Sequence, residues 1–184
     1  MRKLLNEELD RLDVQAFKKA TKLPIKVVLD NVRSLNNVGS AFRTSDAFRI
    51  DGIYLCGITA KPPHREIQKT ALGATESVDW KYFTTTAEAV EALRAENYQI
   101  IAVEQADESV ELQNFSIDSE KKYALIFGNE VKGVEEDIVK GADEVVEIPQ
   151  FGTKHSLNIA VSIGVVLWNL WATLREPEKK KTFL

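Results

Sequence analysis

The sequence predicts an α/β domain on a mostly parallel sheet. Two observations carry that expectation. Short runs of β-branched and aliphatic residues alternate with helical stretches along the whole chain. The polar and glycine-rich segments, Asn31 to Gly39, Gly128 to Gly133 and Pro149 to Asn158, all follow expected strands, at the carboxyl edge where such sheets usually bind ligands. At 184 residues the chain suits one domain with a full core, and neither an internal repeat nor a long linker divides it.

Taken in order, residues 2–20 place Leu5, Leu9, Leu12 and Ala16 or Phe17 at helical spacing, which predicts one amphipathic leading helix ended by Pro24. "KVVLDNV" (26–32) reads as a buried strand. A helix follows, with Asn36 or Asn37 as N-cap. "GIYLCGI" (52–58) is the next strand, and a loop with Pro62, Pro63 and His64 leads to a short helical piece. "TAEAVEALRAEN" (86–97) predicts a helix capped by Thr86. "QIIAVEQ" (99–105), "YALIFGNE" (123–130) and "EVVEIP" (144–149) are strands, with "EEDIVKGA" a short helix between the last two. A long helix from about Ser156 to Leu174 closes the domain. It is apolar nearly all round, so it belongs in the core or against another subunit. The expected organisation is a helical extension (1–23), the main domain (24–174) and a charged, mobile tail (175–184).

Composition excludes several function classes. The single cysteine, Cys56, rules out an internal disulfide and a cysteine-cluster metal site, and its apolar neighbours suit a buried, inert thiol. His64 and His155 do not form a metal-binding pair at recognisable spacing. No P-loop, GxGxxG fingerprint or G-x-S-x-G elbow is present. The N-terminus has no signal-peptide core, and the most apolar stretch, Ile159 to Trp171, is too short to span a bilayer, so a cytoplasmic protein is expected. The net charge of −4 hides an asymmetry. Residues 86–147 hold 16 acidic and 5 basic residues, a net of −11, and the remainder 12 acidic and 19 basic, a net of +7. The basic part could face a polyphosphate, while the acidic helices are equally well read as simply solvated.

Three strand-end segments carry the candidate chemistry. In "NNVGSAFRTSDAF" (36–48) one long cation, Arg43, stands among small residues on a helix, with Asn36 and Asn37 at its start. In "IFGNEVKGV" (126–134) a strand ends at Gly128, where a backbone can approach a ligand, and Glu130 follows. In "IPQFGTKHSLNIAVSIG" (148–164) Ser156 opens the last helix, and Asn158, a polar residue at its buried start, needs a partner. Each segment alone is better explained as a surface arginine, a turn, or a cap with a satisfied amide.

Together and in this order the three segments resemble the motifs of the SpoU/TrmH family of RNA ribose 2′-O-methyltransferases, in the SPOUT class, over about residues 24 to 174. The resemblance implies helices on both faces of the sheet and a C-terminal trefoil knot. It implies a homodimer, S-adenosyl-L-methionine as cofactor without a metal, and RNA as substrate, tRNA favoured and rRNA possible; a non-catalytic RNA-binding protein of the same fold is the rival. Carried over residue by residue, Arg43, Asn37, Glu130, Ser156 and Asn158 fall on catalytic positions, and Gly128, Ile148 and Leu157 on cofactor-binding ones. His155 stands at a variable place and receives no role. The small residues around Arg43 would pack that helix beside the cofactor loops. Arg33, Arg49, Lys61, Arg65 and Lys69 are expected on the RNA-facing side.

Overall fold

The computed structural model describes residues 1–181, apart from the side chains of residue 6 and of 175–181. Among these residues seven strands form one sheet: β1 (Leu23–Asp30), β2 (Ile50–Cys56), β3 (Trp80–Phe83), β4 (Tyr98–Val103), β5 (Val110–Glu111), β6 (Lys122–Phe127) and β7 (Glu144–Glu147). Their order is β3-β2-β1-β6-β4-β7-β5, and every pairing is parallel. The helices are α1 (Val14–Lys19), α2 (Leu35–Ala47), α3 (Arg65–Ala71), α4 (Ala74–Ser77), α5 (Thr86–Ala95), α6 (Glu136–Gly141) and α7 (Ile159–Lys181).

The central strands are continuous apolar runs because both faces are covered. Val27, Leu29 and Leu125 meet residues of α2, α3 and α7 in one core, which includes Phe42, Ile67 and Ile163. Val28, Ile126 and Ile100 meet Ala89 and Leu93 of α5 and Ile138 of α6 in the other. The acidic stretch therefore supplies both helices of one face. The amino end of the sheet is closed by ion pairs: Lys26 Nζ lies 2.7 Å from Glu96 and 3.4 Å from Asp51. Cys56 is fully buried, and desolvation pushes its thiol up to about 12, which keeps it protonated.

Several elements differ from the sequence expectation. The leading segment is not one helix. A single 3-10 turn covers Asn6–Glu8, and α1 begins only after Asp13, whose side chain accepts a hydrogen bond from Ala16 N at 2.8 Å. Leu4, Leu5 and Leu12 stay exposed, so no apolar face holds a longer helix together. Pro24 lies inside the start of β1, a position proline tolerates. The caps sit one to three residues from the expected places. Ser34, not Asn36 or Asn37, caps α2, and Thr85, not Thr86, caps α5. Asn158 rather than Ser156 opens α7, its Oδ1 accepting from Ala160 N at 2.9 Å. α7 continues beyond residue 174 to Lys181; residues 182–184 of the charged tail lie outside the described residues. β3 and β5 were not expected, one being four residues on an edge and the other only two. Arg49 stands just before β2, its carbonyl accepting from Leu23 N. It is therefore at the amino end of the sheet, opposite the edge expected to face RNA.

One of the small residues of α2, Gly39, serves a different contact from the expected one. A Cβ on Gly39 would lie 2.0 Å from Thr70 Oγ1 and 2.4 Å from Ile67 O, so this glycine lets α2 approach α3, not the glycine-rich loops. Gly39→Ala must push two helices apart against backbone. The expected loss is about 1–3 kcal/mol, or on the order of 5 °C in melting temperature. A thermal melt that matches the parent would contradict this packing.

Candidate active site

The carboxyl ends of β6, β4 and β7, which are neighbours in the sheet, open into a cavity of about 680 Å³. Its walls come from three loops: Val103–Gln105 after β4, Gly128–Val134 after β6, and Ile148 to Ile159 between β7 and α7. Gly128, Ile148 and Leu157 line it, as do Glu130, Ser156 and Asn158. Ser156 and Leu157 are exposed on this wall, and Ile148 is half-buried.

Asn37 joins this group through hydrogen bonds. Its Nδ2 donates to Glu130 Oε1 at 3.0 Å, and its Oδ1 accepts from Asn158 Nδ2 at 3.2 Å. One residue from each of the three segments therefore meets in a single chain of amide and carboxylate groups. Glu130 also accepts from the backbone N–H of Arg33 and of Ser34, each at 2.9 Å. Partial desolvation alone would raise its carboxyl. The hydrogen bonds from Arg33, Ser34, its own N–H and Asn37 outweigh that and hold it below the usual glutamate range. The tie is thus complete above the ordinary carboxylate range and is lost as pH falls through the lowered value. Glu130→Ala should speed hydrogen exchange at the Arg33 and Ser34 amides about tenfold or more, because each loses a charged acceptor. Unchanged exchange at both amides would show that the carboxylate does not order the β1 loop.

The sequence reading missed a second set of ties. Asp30, fully buried at the end of β1, accepts from Asn31 Nδ2 at 2.9 Å, from Thr86 Oγ1 at 2.5 Å and from Glu135 N at 2.9 Å. Asn31, at φ 54°, donates from Nδ2 to Glu135 Oε1 at 2.7 Å, and its carbonyl accepts from Asn129 Nδ2 at 2.7 Å. Glu104 accepts from Val134 N at 3.0 Å. Asn129 and Gly133 exchange two backbone bonds of 2.9 Å, closing the loop between them. An acidic residue directly after the apolar run Val27–Leu29 was the available signal for Asp30; Glu104 gave none.

Arg43 is placed apart from the others. Six residues beyond Asn37 on α2, it is exposed and does not line the cavity. It borders a smaller hollow of about 330 Å³ with Leu12, Asp46, Leu72 and Glu76. Among the described residues, no His, Cys, Asp and Glu side chains form a group that could hold a metal ion, and no helix is long and apolar enough to cross a membrane.

Known proteins are similar to this chain in sequence and in fold. A tRNA (guanosine(18)-2′-O)-methyltransferase of Aquifex aeolicus is 32% identical over 146 residues, 77% of this chain and 66% of its own. Among solved structures, the A. aeolicus TrmH/SpoU tRNA modifying enzyme superposes with a TM-score of 0.76 at 26% identity, over 90% of this chain and 82% of its own. The AdoMet-bound rRNA methyltransferase of Sinorhizobium meliloti gives 0.74 at 28% identity, over 82% of this chain and 60% of its own. The chain spans 56% to 66% of the length of the first curated relatives it matches. Residues 24–168, which hold the sheet from the second residue of β1 onward and all three strand-end segments, match the SpoU rRNA Methylase family, and the chain belongs to that family.

Proposed function

We propose that this chain is an S-adenosylmethionine-dependent methyltransferase acting on a ribose 2′-hydroxyl of structured RNA, with tRNA as first choice and rRNA as the alternative. The observation that carries this reading is the Glu130–Asn37–Asn158 chain, which joins all three motif segments beside one cavity. The similarity to a tRNA 2′-O-methyltransferase and to an AdoMet-bound rRNA enzyme supports it.

The cavity fits the cofactor. Its volume, about 680 Å³, is that of a small-molecule site. Gly128, Ile148 and Leu157 offer backbone groups, and Ile148, Leu157 and Phe127 offer apolar surface. When bound, the cofactor supplies an electrophilic methyl group on a sulfonium. The protein's part is positioning. Glu130 orders the β1 loop and fixes the Asn37 amide, and Asn37 in turn fixes Asn158. Ser156 stands on the same wall and can hydrogen-bond a sugar or phosphate. Arg43 orients the 2′-hydroxyl and stabilises the oxyanion that develops as the proton leaves. Its high pKa makes it a poor proton acceptor, so the stabilising role is favoured over that of base.

Arg43 stands outside its own chain's cavity, so the reading requires a homodimer in which the motif-one helix of one copy serves the other. α7 supports this. One side packs in the core through Ile159, Ile163, Val166 and Leu170, while Val161, Val165 and Trp168 leave an apolar strip exposed. Trp168 and Trp171 stack at 5.2 Å and both meet Phe48 at the end of α2. The knot and a cytoplasmic setting belong to the same proposal. Sedimentation at micromolar concentration should give a dimer mass, and a monomer would exclude this arrangement. Calorimetry with S-adenosylhomocysteine tests the cavity: saturable binding after chelation of metals is expected, and its absence would contradict the cofactor assignment.

A further inference from the structure

We propose that Tyr82, with Lys61 and Ile58, forms a platform on which an unpaired base of the RNA stacks beside the target nucleotide. The proposal rests on the RNA-directed reading above. Tyr82 is the penultimate residue of β3, an edge strand, and its side chain stays exposed. Its hydroxyl donates to Gly57 O at 2.9 Å, which fixes the ring in one orientation. Lys61 Nζ lies 4.1 Å from the ring centroid and makes no ion pair among the described residues. Ile58, which directly follows Gly57 in the chain, is 66% exposed.

The loop presenting these groups is tied down. Gly57 N donates to Phe83 O, and Ile58 N donates to Asn31 Oδ1 at 3.1 Å. The buried Thr59 donates to Leu29 O at 3.1 Å and accepts from Val32 N at 2.9 Å. A rigid ring, an aliphatic side chain and an ammonium are thus held out to solvent together. Among the described residues the ring's π face is the ammonium's one charge-stabilising counterpart. A nucleotide offers a base to the ring and a phosphate to the ammonium, replacing one contact with two.

Placement and charge favour RNA. The platform and the cavity share the carboxyl edge of the sheet. β3 lies three strands from β6, about 14 Å at ordinary strand spacing. Arg33, exposed on the β1 loop and without an ion pair among the described residues, stands between them, and Arg65 follows the platform loop. The nearby carboxylates are engaged: Glu88 accepts from Thr84 N, Glu135 from Asn31, and Glu66 pairs with Lys69. Every base has a π face, so the platform would accept any sequence.

The test uses the full chain and a short single-stranded oligouridylate with 2-aminopurine at its centre. The parent protein should bind it and quench the fluorophore by stacking. Tyr82→Ala should weaken binding about tenfold or more and remove the quenching. Tyr82→Phe, which keeps the ring but loses the bond to Gly57, should retain both. Lys61→Ala should weaken binding and lower its salt slope by about one. Calorimetry of Tyr82→Ala with S-adenosylhomocysteine should match the parent, which separates loss of the platform from loss of the cavity. The proposal is overturned if the parent binds the oligonucleotide without quenching or does not bind it, or if Tyr82→Ala behaves as the parent. A patch that serves another protein instead would give the second of these results.

Discussion

Replacing Arg43 by alanine should slow methyl transfer about a hundredfold or more while leaving cofactor affinity and melting temperature unchanged. The separation follows from where the side chain stands. Arg43 is exposed on α2, and the cavity is lined by residues of other loops, so truncation removes no wall. One acidic neighbour in the smaller hollow, Asp46, has another partner, since the Ser77 hydroxyl donates to it. What should be lost is the cation proposed to meet the developing oxyanion. A merely surface arginine would leave single-turnover methylation near normal. A structural arginine would take melting temperature and cofactor affinity down with the rate. Measuring all three on one preparation distinguishes these outcomes, and near-normal turnover would refute the catalytic assignment.

Gly128→Ala should have the opposite profile, weakening cofactor binding rather than the chemical step. A Cβ at residue 128 would lie 2.0 Å from both Gly133 C and Val134 N, which are backbone atoms of the same loop. The loop must move, and the paired Asn129–Gly133 bonds and the Val134–Glu104 bond move with it. Overpacking of this kind costs roughly 1–3 kcal/mol, and at its upper end that lowers affinity about a hundredfold. Gly152→Ala is the control. No atom lies within 4 Å of a Cβ there, so its affinity should stay at the parent value. Equal affinities for the two variants, measured by calorimetry, would mean that the 128–134 loop does not shape the binding site.

The sequence reading succeeded where periodicity is strong. The long apolar runs of β1, β2, β4 and β6 were found because strands covered on both faces leave little room for polar residues. It failed where local chemistry is shared between neighbours. Ser34 and Asn37, or Thr85 and Thr86, are all competent caps, and tertiary contacts decide between them. Thr86 is not the cap because its hydroxyl is needed by the buried Asp30. Of the leading leucines at helical spacing, Leu5 and Leu12 have no surface to cover. Within the candidate site, the order of the three segments was legible. That Asn37 bridges Glu130 and Asn158 was not, because residues 37, 130 and 158 become neighbours only when the sheet is assembled. The isolation of Arg43 from its own cavity was equally hidden, since six residues of helix turn it away from Asn37. Tyr82 escaped notice because β3 is too short to announce itself.

The most direct measurement of the central claim is the position of the methyl group after reaction. RNA from a strain lacking this protein, treated with the purified chain and labelled S-adenosylmethionine, is digested to nucleosides and read by mass spectrometry. One new 2′-O-methylated nucleoside should form, in tRNA or else in rRNA, and it should be absent when Arg43→Ala is used for the same time. Label on a base rather than a ribose, or no label in any RNA, would contradict the account.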